Sequence, residues 1–353
     1  MKTVFANFKM TASRLLSLLS VALCASLSAG AQTPTPPAQP LLGPGGSSYL
    51  YSSYTQFGPY YVNPAKEQAY QSYYIYEPAG SSVPKSLPVV LFLHAYLAGL
   101  EGYPSGDSPS NYTYWIEHLA RNGYTVVFPA YDSQLSPPAF TNSAVDAWQS
   151  ALTLLRSGAA GLVPPASDAF GVQTMFAGHS LGAYESFAVA QRLTTNPVNG
   201  VPIPRAIAAF NPGIGQSGEL PIAFSQISPS ISVVLVDSDE DTTDIPAAQA
   251  IWSSIGTSIP LGNRDFLEVI SDKHGSPALL GTHFFPDTNG LMDDDSGVDD
   301  RDYNVTWKLS VGLFNCVLTG TDCSYALGHG SIDQVNMGNW SDGTPVKTLS
   351  LQD

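Results

Sequence analysis

The sequence predicts an α/β protein built on a mainly parallel sheet of about eight strands, with helices on both faces. Three observations lead there. Short β-branched and apolar runs alternate with longer stretches of helical spacing along most of the chain. Several runs are apolar throughout, with no alternation, as buried parallel strands are. After the N-terminal leader, the remaining length suits one large domain better than two.

Each element has a local reason. Residues 70–76 (YQSYYIY) alternate like a half-exposed strand, and 88–93 (PVVLFL) form a continuous apolar one. Residues 114–122 carry apolar side chains at helical spacing and stop at Gly123. Residues 124–128 (YTVVF) are the next strand. Residues 143–157 form an amphipathic helix with Asn142 or Ser143 as its expected cap. A strand over 172–177 runs into a helix over 180–193. Three more strands follow at 205–210, 232–236 and 266–270, and helices at 247–255 and 303–318.

The first 31 residues stand apart. Lys2, Lys9 and Arg14 precede an apolar run from Leu15 to Leu27, and Ala29-Gly30-Ala31 is a small-residue cleavage pattern. The run is too short to span a bilayer comfortably. Residues 1–31 therefore read as a secretory signal peptide, which places the protein outside the cell or in the periplasm. Residues 32–47 are proline-rich and expected to form a disordered leader that joins no core. Residues 48–353 form the single domain.

The 353-residue chain is 44% hydrophobic and 12% charged, with a formal net charge of −15. The signal peptide holds no acid, so the mature chain is more acidic still. Nucleic acid and anionic membranes are poor partners for such a surface. No second apolar run approaches membrane-spanning length, and the chain is expected to act as a monomer. Cys316 and Cys323 flank a Gly-Thr turn and are expected to pair in an oxidising compartment. No G-x-G-x-x-G follows the first buried strand and no P-loop occurs, so no cofactor is expected.

The chemistry concentrates at Gly178-His179-Ser180-Leu181-Gly182, which fits G-x-S-x-G. Strand residues VQTMFA lead in, and the helical AYESFAVAQRL leads out. A sharp strand-to-helix turn pushes the serine hydroxyl above the carboxyl edge of the sheet and needs glycine on both sides. The helix N-terminus then faces the oxyanion of an attacked carbonyl.

On these residues the chain resembles the α/β-hydrolase superfamily, and within it secreted lipases, cutinases and polyester hydrolases. The resemblance spans nearly all of the mature chain as an ordered series of elements, but motif matching is close in four short segments only. It implies the α/β-hydrolase fold and an ester-cleaving serine nucleophile, Ser180. Residues 93–99 (LHAYLAG) resemble the H-G-aromatic loop, with Ala95 where glycine is usual. By that resemblance the backbone N–H groups of Tyr96 and Leu181 form the oxyanion hole, and His94 is a buried residue holding the loop. The superfamily carries its acid after the strand equivalent to 232–236. Asp239-Glu240-Asp241-Thr242 resembles the D-x-D-T of cutinase-like enzymes and points to Asp241, with Asp239 and then Asp237 as alternatives.

For the base, a strand runs straight into the turn that bears His274, which favours it. His283, in T-H-F, is the rival, and its longer loop must fold back to deliver the same ring. His118 and His329 lack such a setting and read as core or surface residues. A small-molecule or polymeric ester is the expected substrate. No large lid insertion is evident, although 102–113 and 133–142 are Pro- and Ser-rich loops beside the expected site. A serine peptidase, an acyltransferase, or an inactive binding protein of the same fold are the alternatives. The acidic stretch Asp293, Asp294, Asp295, Asp299, Asp300 and Asp302 fits no EF-hand and reads as a solvated loop, with calcium binding the competing idea; no metal is expected at the catalytic site. Asn111, Asn304 and Asn339 head glycosylation sequons.

Overall fold

In the computed structural model, β-branched and aromatic runs pair into one nine-stranded sheet. Residues 33–80, 82–96, 108–131, 139–214, 221, 223–243, 247–290 and 296–353 are described. Residues 1–32 (and with them the expected signal peptide), residues 97–100, most of the two Pro- and Ser-rich loops, and Asp293 to Asp295 lie outside them. The chain divides at Pro34, and Thr35–Asp353 forms one unit.

The strands are β1 (Ser53–Tyr61), β2 (Ser72–Ala79), β3 (Val89–Leu93), β4 (Thr125–Ala130), the small hairpin β5 (Ser167–Asp168) and β6 (Gly171–Val172), β7 (Thr174–His179), β8 (Ala206–Phe210), β9 (Ser232–Ser238), β10 (Arg264–Val269) and β11 (Ser350–Leu351). Across the sheet the order is β1-β2-β4-β3-β7-β8-β9-β10-β11. The six strands from β4 to β10 are parallel, while β1, β2 and β11 pair antiparallel at the two edges. The fold is thus α/β with a mostly parallel sheet, as expected, and has nine strands where about eight are anticipated.

Helices α1 (Thr113–Arg121), α2 (Phe140–Ser157), α3 (Leu181–Thr195), α4 (Ala247–Ile255) and α5 (Lys308–Thr319) cover both faces. Alternate residues of each buried strand serve opposite cores. Val89, Leu91 and Leu93 pack with α2, α3 and α4. Val90 and Phe92 pack with α1 and α5. Both faces are dry, which is why these strands carry no polar alternation.

Three expectations need correction. Helix α2 begins at Phe140, a turn before the expected cap, and Ser143 instead donates its hydroxyl to the Tyr70 carbonyl at 2.6 Å. From Thr35 onward the proline-rich segment is seated on the domain rather than disordered. The Thr35 N–H donates to Ser341 Oγ at 2.9 Å, and His118 Nε2 donates to the Pro44 carbonyl at 2.7 Å. Gly45 lies so close to the Tyr303 carbonyl that an added Cβ would sit 1.8 Å from its oxygen. Prolines restrict the free chain, so ordering this segment costs little entropy. Lastly, Asn111 is 1% exposed, so the sequon there cannot carry a glycan in this fold.

His118 is a core residue, stacked on Trp307 at 4.5 Å, and burial lowers its pKa to about 3. Cys316 and Cys323 form a disulfide that ties the end of α5 to the following turn. Among the described residues no helix is long and apolar enough to cross a membrane.

Candidate active site

The strand order reverses between β3 and β7: the connection from β3 leads outward to β4, and those from β7 lead the opposite way to β8, β9 and β10. A crevice at the carboxyl ends of the strands is expected at such a switch point. Ser180 stands there, directly after β7.

The turn that carries Ser180 is strained. Its φ is +54° and ψ is −125°, a conformation that L-residues avoid. The neighbouring glycines are there for space. A Cβ on Gly178 would lie 2.3 Å from the Gly182 carbonyl oxygen, and one on Gly182 would lie 2.0 Å from that of Leu93. The Ser180 N–H donates to the Phe210 carbonyl at 3.1 Å, tying the bend to β8. Helix α3 starts at the next residue, Leu181.

The Ser180 hydroxyl donates to His283 Nε2 at 2.8 Å, and His283 Nδ1 donates to Asp241 Oδ2 at 2.7 Å. A carboxylate only accepts, so this contact sets the tautomer that leaves Nε2 able to take a proton. His283 and Asp241 are 3% and 8% exposed. Burial by itself raises the Asp241 pKa, but the His283 hydrogen bond and charge, with the Thr243 N–H, outweigh it and hold the carboxyl below its ordinary value. It is ionised at neutral pH.

The histidine beside Ser180 is therefore His283, which corrects the expectation of His274. The reason is a short excursion of the chain. Asp272 and Leu279 exchange backbone hydrogen bonds at 2.7 and 2.8 Å, closing a loop that carries His274 outward. There its Nε2 meets Asp342 at 2.8 Å, with both side chains more than a third exposed. The chain then returns along β9: the Glu240 N–H donates to the Gly281 carbonyl at 3.1 Å, two residues before His283.

Of the three candidate acids, Asp241 alone meets His283. Asp239 accepts the Ser271 N–H at 3.0 Å and its hydroxyl at 2.6 Å, so it joins the ends of β9 and β10. Asp237 accepts the Ser238 N–H at 3.0 Å, and burial raises its pKa to about 6.

The loop after β3 approaches the first turn of α3, where a Cβ on Gly182 would lie 2.0 and 2.7 Å from the Leu93 and His94 carbonyl oxygens. Tyr96 and Leu181 thus belong to facing segments. The Tyr96 ring is 39% exposed and lies 5.6 Å from Phe140. His94 is buried, stacks on Tyr131 at 4.2 Å, and donates Nδ1–H to the Ala95 carbonyl at 2.8 Å.

Several supporting residues have no sequence signature. Asn211 donates to the Thr282 and His283 carbonyls at 2.9 and 3.2 Å and accepts the Ser238 hydroxyl at 2.7 Å. Glu185, on α3 shortly after Ser180, is fully buried and accepts from Thr141 at 2.8 Å; burial raises its pKa to about 8.

The acidic stretch is less solvated than expected. Asp300 and Asp302 are fully buried, burial raises Asp300 to about 7, and Asp299 pairs with Arg301. Asp265, His329 and Asp353 bring ligand-type atoms within 4.8 Å of one another at the amino end of β10. His329 Nδ1 lies 2.5 Å from Asp265 Oδ1. A cavity of about 810 Å³, lined by Tyr60, Val62, Tyr73, Asp146 and Leu154 among others, includes no member of the Ser180 group.

No model of a known protein family matches the chain, and no curated protein matches it either.

Proposed function

We propose that the protein is a secreted serine hydrolase of the α/β-hydrolase type that cleaves carboxylic esters, with Ser180 as nucleophile, His283 as base and Asp241 as the orienting acid. One observation carries the reading. The hydroxyl of a serine held at φ +54° donates to a buried imidazole, and that ring's other nitrogen is fixed by an ionised carboxylate. Nucleophile, base and orienter are in hydrogen-bond reach of one another, as acyl transfer requires.

In this mechanism His283 takes the Ser180 proton as the oxygen attacks the ester carbonyl. Asp241 stabilises the imidazolium that forms. The N-terminus of α3 and the segment that carries Tyr96 face the oxyanion, and each well-placed N–H contributes about 2.7–4 kcal/mol to the transition state. His283 returns its proton to the departing alcohol. Water, activated by the same ring, then attacks the acyl-enzyme and releases the acid. Secretion is supported by the Cys316–Cys323 disulfide and by the leader pattern of residues 1–31.

The test is a series of p-nitrophenyl esters from acetyl to long acyl chains, with an aminoacyl anilide as control. The expected result is ester hydrolysis that Ser180→Ala abolishes. Cleavage of the anilide alone contradicts the esterase reading, and inertness to every substrate contradicts hydrolysis.

A further inference from the structure

Behind the Ser180 group lies a second polar cluster that the mechanism above does not use. Tyr112 opens into α1, His179 precedes the nucleophile, and Asp287 follows the base by one turn of chain. All three side chains are fully buried. The Ala95 N–H donates to the Tyr112 hydroxyl at 3.0 Å. That hydroxyl lies 2.9 Å from His179 Nδ1. His179 Nε2 donates to the backbone carbonyl of His283 at 2.8 Å. Asp287 Oδ1 lies 3.4 Å from His179 Nδ1, and the Asp287 N–H donates to the Phe284 carbonyl at 3.0 Å.

The roles follow from donor and acceptor arithmetic. A carbonyl only accepts, so Nε2 of His179 carries its proton. The Tyr112 oxygen accepts the Ala95 N–H, and its own proton is within reach of His179 Nδ1. Burial, and next the nearby Asp287 charge, push the Tyr112 phenol well above its ordinary range, so that proton stays in place. The Tyr112 ring is itself fixed against Phe92 at 5.0 Å.

We propose that Tyr112, His179 and Asp287 are positioning residues, joining the oxyanion segment at Ala95 and the backbone of the base His283 into one rigid unit around Ser180. The proposal rests on the hydrolytic reading above and extends it. The cluster holds Ala95, the residue before the proposed N–H donor Tyr96, includes His179, the residue before the nucleophile, and holds the backbone of the base. Misplacement of a donor or base by a fraction of an ångström costs catalysis without costing substrate binding, because the oxyanion and imidazolium exist only beyond the ground state.

The test compares wild type, Tyr112→Phe, Asp287→Asn and the double variant. Each is followed by kcat and KM on p-nitrophenyl butyrate, by the rate of labelling with a fluorophosphonate, and by thermal melting. Tyr112→Phe keeps the packed ring and removes one hydroxyl. The expected result is a fall in kcat of about tenfold to a hundredfold with KM within twofold. Fluorophosphonate labelling should slow in parallel, and the double variant should lose less than the product of the single losses because the residues act as a unit. An active wild type whose Tyr112→Phe and Asp287→Asn variants, melting above the assay temperature, keep kcat within twofold overturns the positioning role alone. A wild type inert to esters and to the probe overturns the hydrolytic reading, and the positioning role with it.

Discussion

Two histidine–carboxylate pairs stand close together in the chain and share nearly one geometry. His283 meets Asp241 at 2.7 Å, and His274 meets Asp342 at 2.8 Å. Their settings differ. The first pair is 3% and 8% exposed, the second 37% and 40%. In the first, the remaining ring nitrogen faces the Ser180 hydroxyl; the second lies on an exposed loop beside Trp340. A short contact therefore says little about role. Burial, which preserves the electrostatic interaction, and the group that faces the other nitrogen decide it.

The largest expected difference lies in turnover. His283→Ala should lower kcat on p-nitrophenyl butyrate by about 10⁴-fold or more, whereas His274→Ala should stay within about twofold. Equal losses would erase the distinction between the pairs. Asp241→Asn should cost about 10²–10⁴-fold by releasing the ring tautomer, and Asp342→Asn should leave kcat unchanged in the same assay.

The buried pair should also be visible in stability. The Asp241 pKa is depressed in the folded state, so its stabilisation is complete above the unfolded value and is lost as pH falls through the folded one. Urea unfolding of wild type and Asp241→Asn should accordingly converge as pH drops below the ordinary carboxylate range. Glu185 gives the opposite sign. Its folded pKa is raised to about 8, so the folded state holds a proton the unfolded chain has released, and stability falls as pH rises toward 8. Glu185→Gln should remove that decline, which amounts to at most ~1.4 kcal/mol per pH unit. Smallest of all, His274→Ala should leave the urea midpoint nearly unchanged, because exposed pairs contribute little to stability.

Much of the architecture was legible because its causes are local. Residues 88–93 and 232–236 are apolar without alternation, and the sheet buries both of their faces. The turn that carries Ser180 is legible in five residues, because its strain and its two glycines are contained in them. The edge strands were not legible. Gly58-Pro59 interrupts the alternation of β1, where the register shifts, and β11 is two residues long. The histidine beside Ser180 is not legible, because its position depends on the Asp272–Leu279 pair, which turns His274 outward and returns the chain toward Ser180. Sequence order alone favours the histidine nearest the strand. Tyr112, Asn211 and Asp287 carry no motif at all, since their partners come from distant segments.

The most direct measurement is reaction of the purified protein with a fluorophosphonate, followed by peptide mapping. A single adduct on Ser180 is expected, forming in wild type and His274→Ala at the same rate and failing to form in His283→Ala. An adduct on another residue, or undiminished labelling of His283→Ala, would contradict the roles proposed for Ser180 and His283.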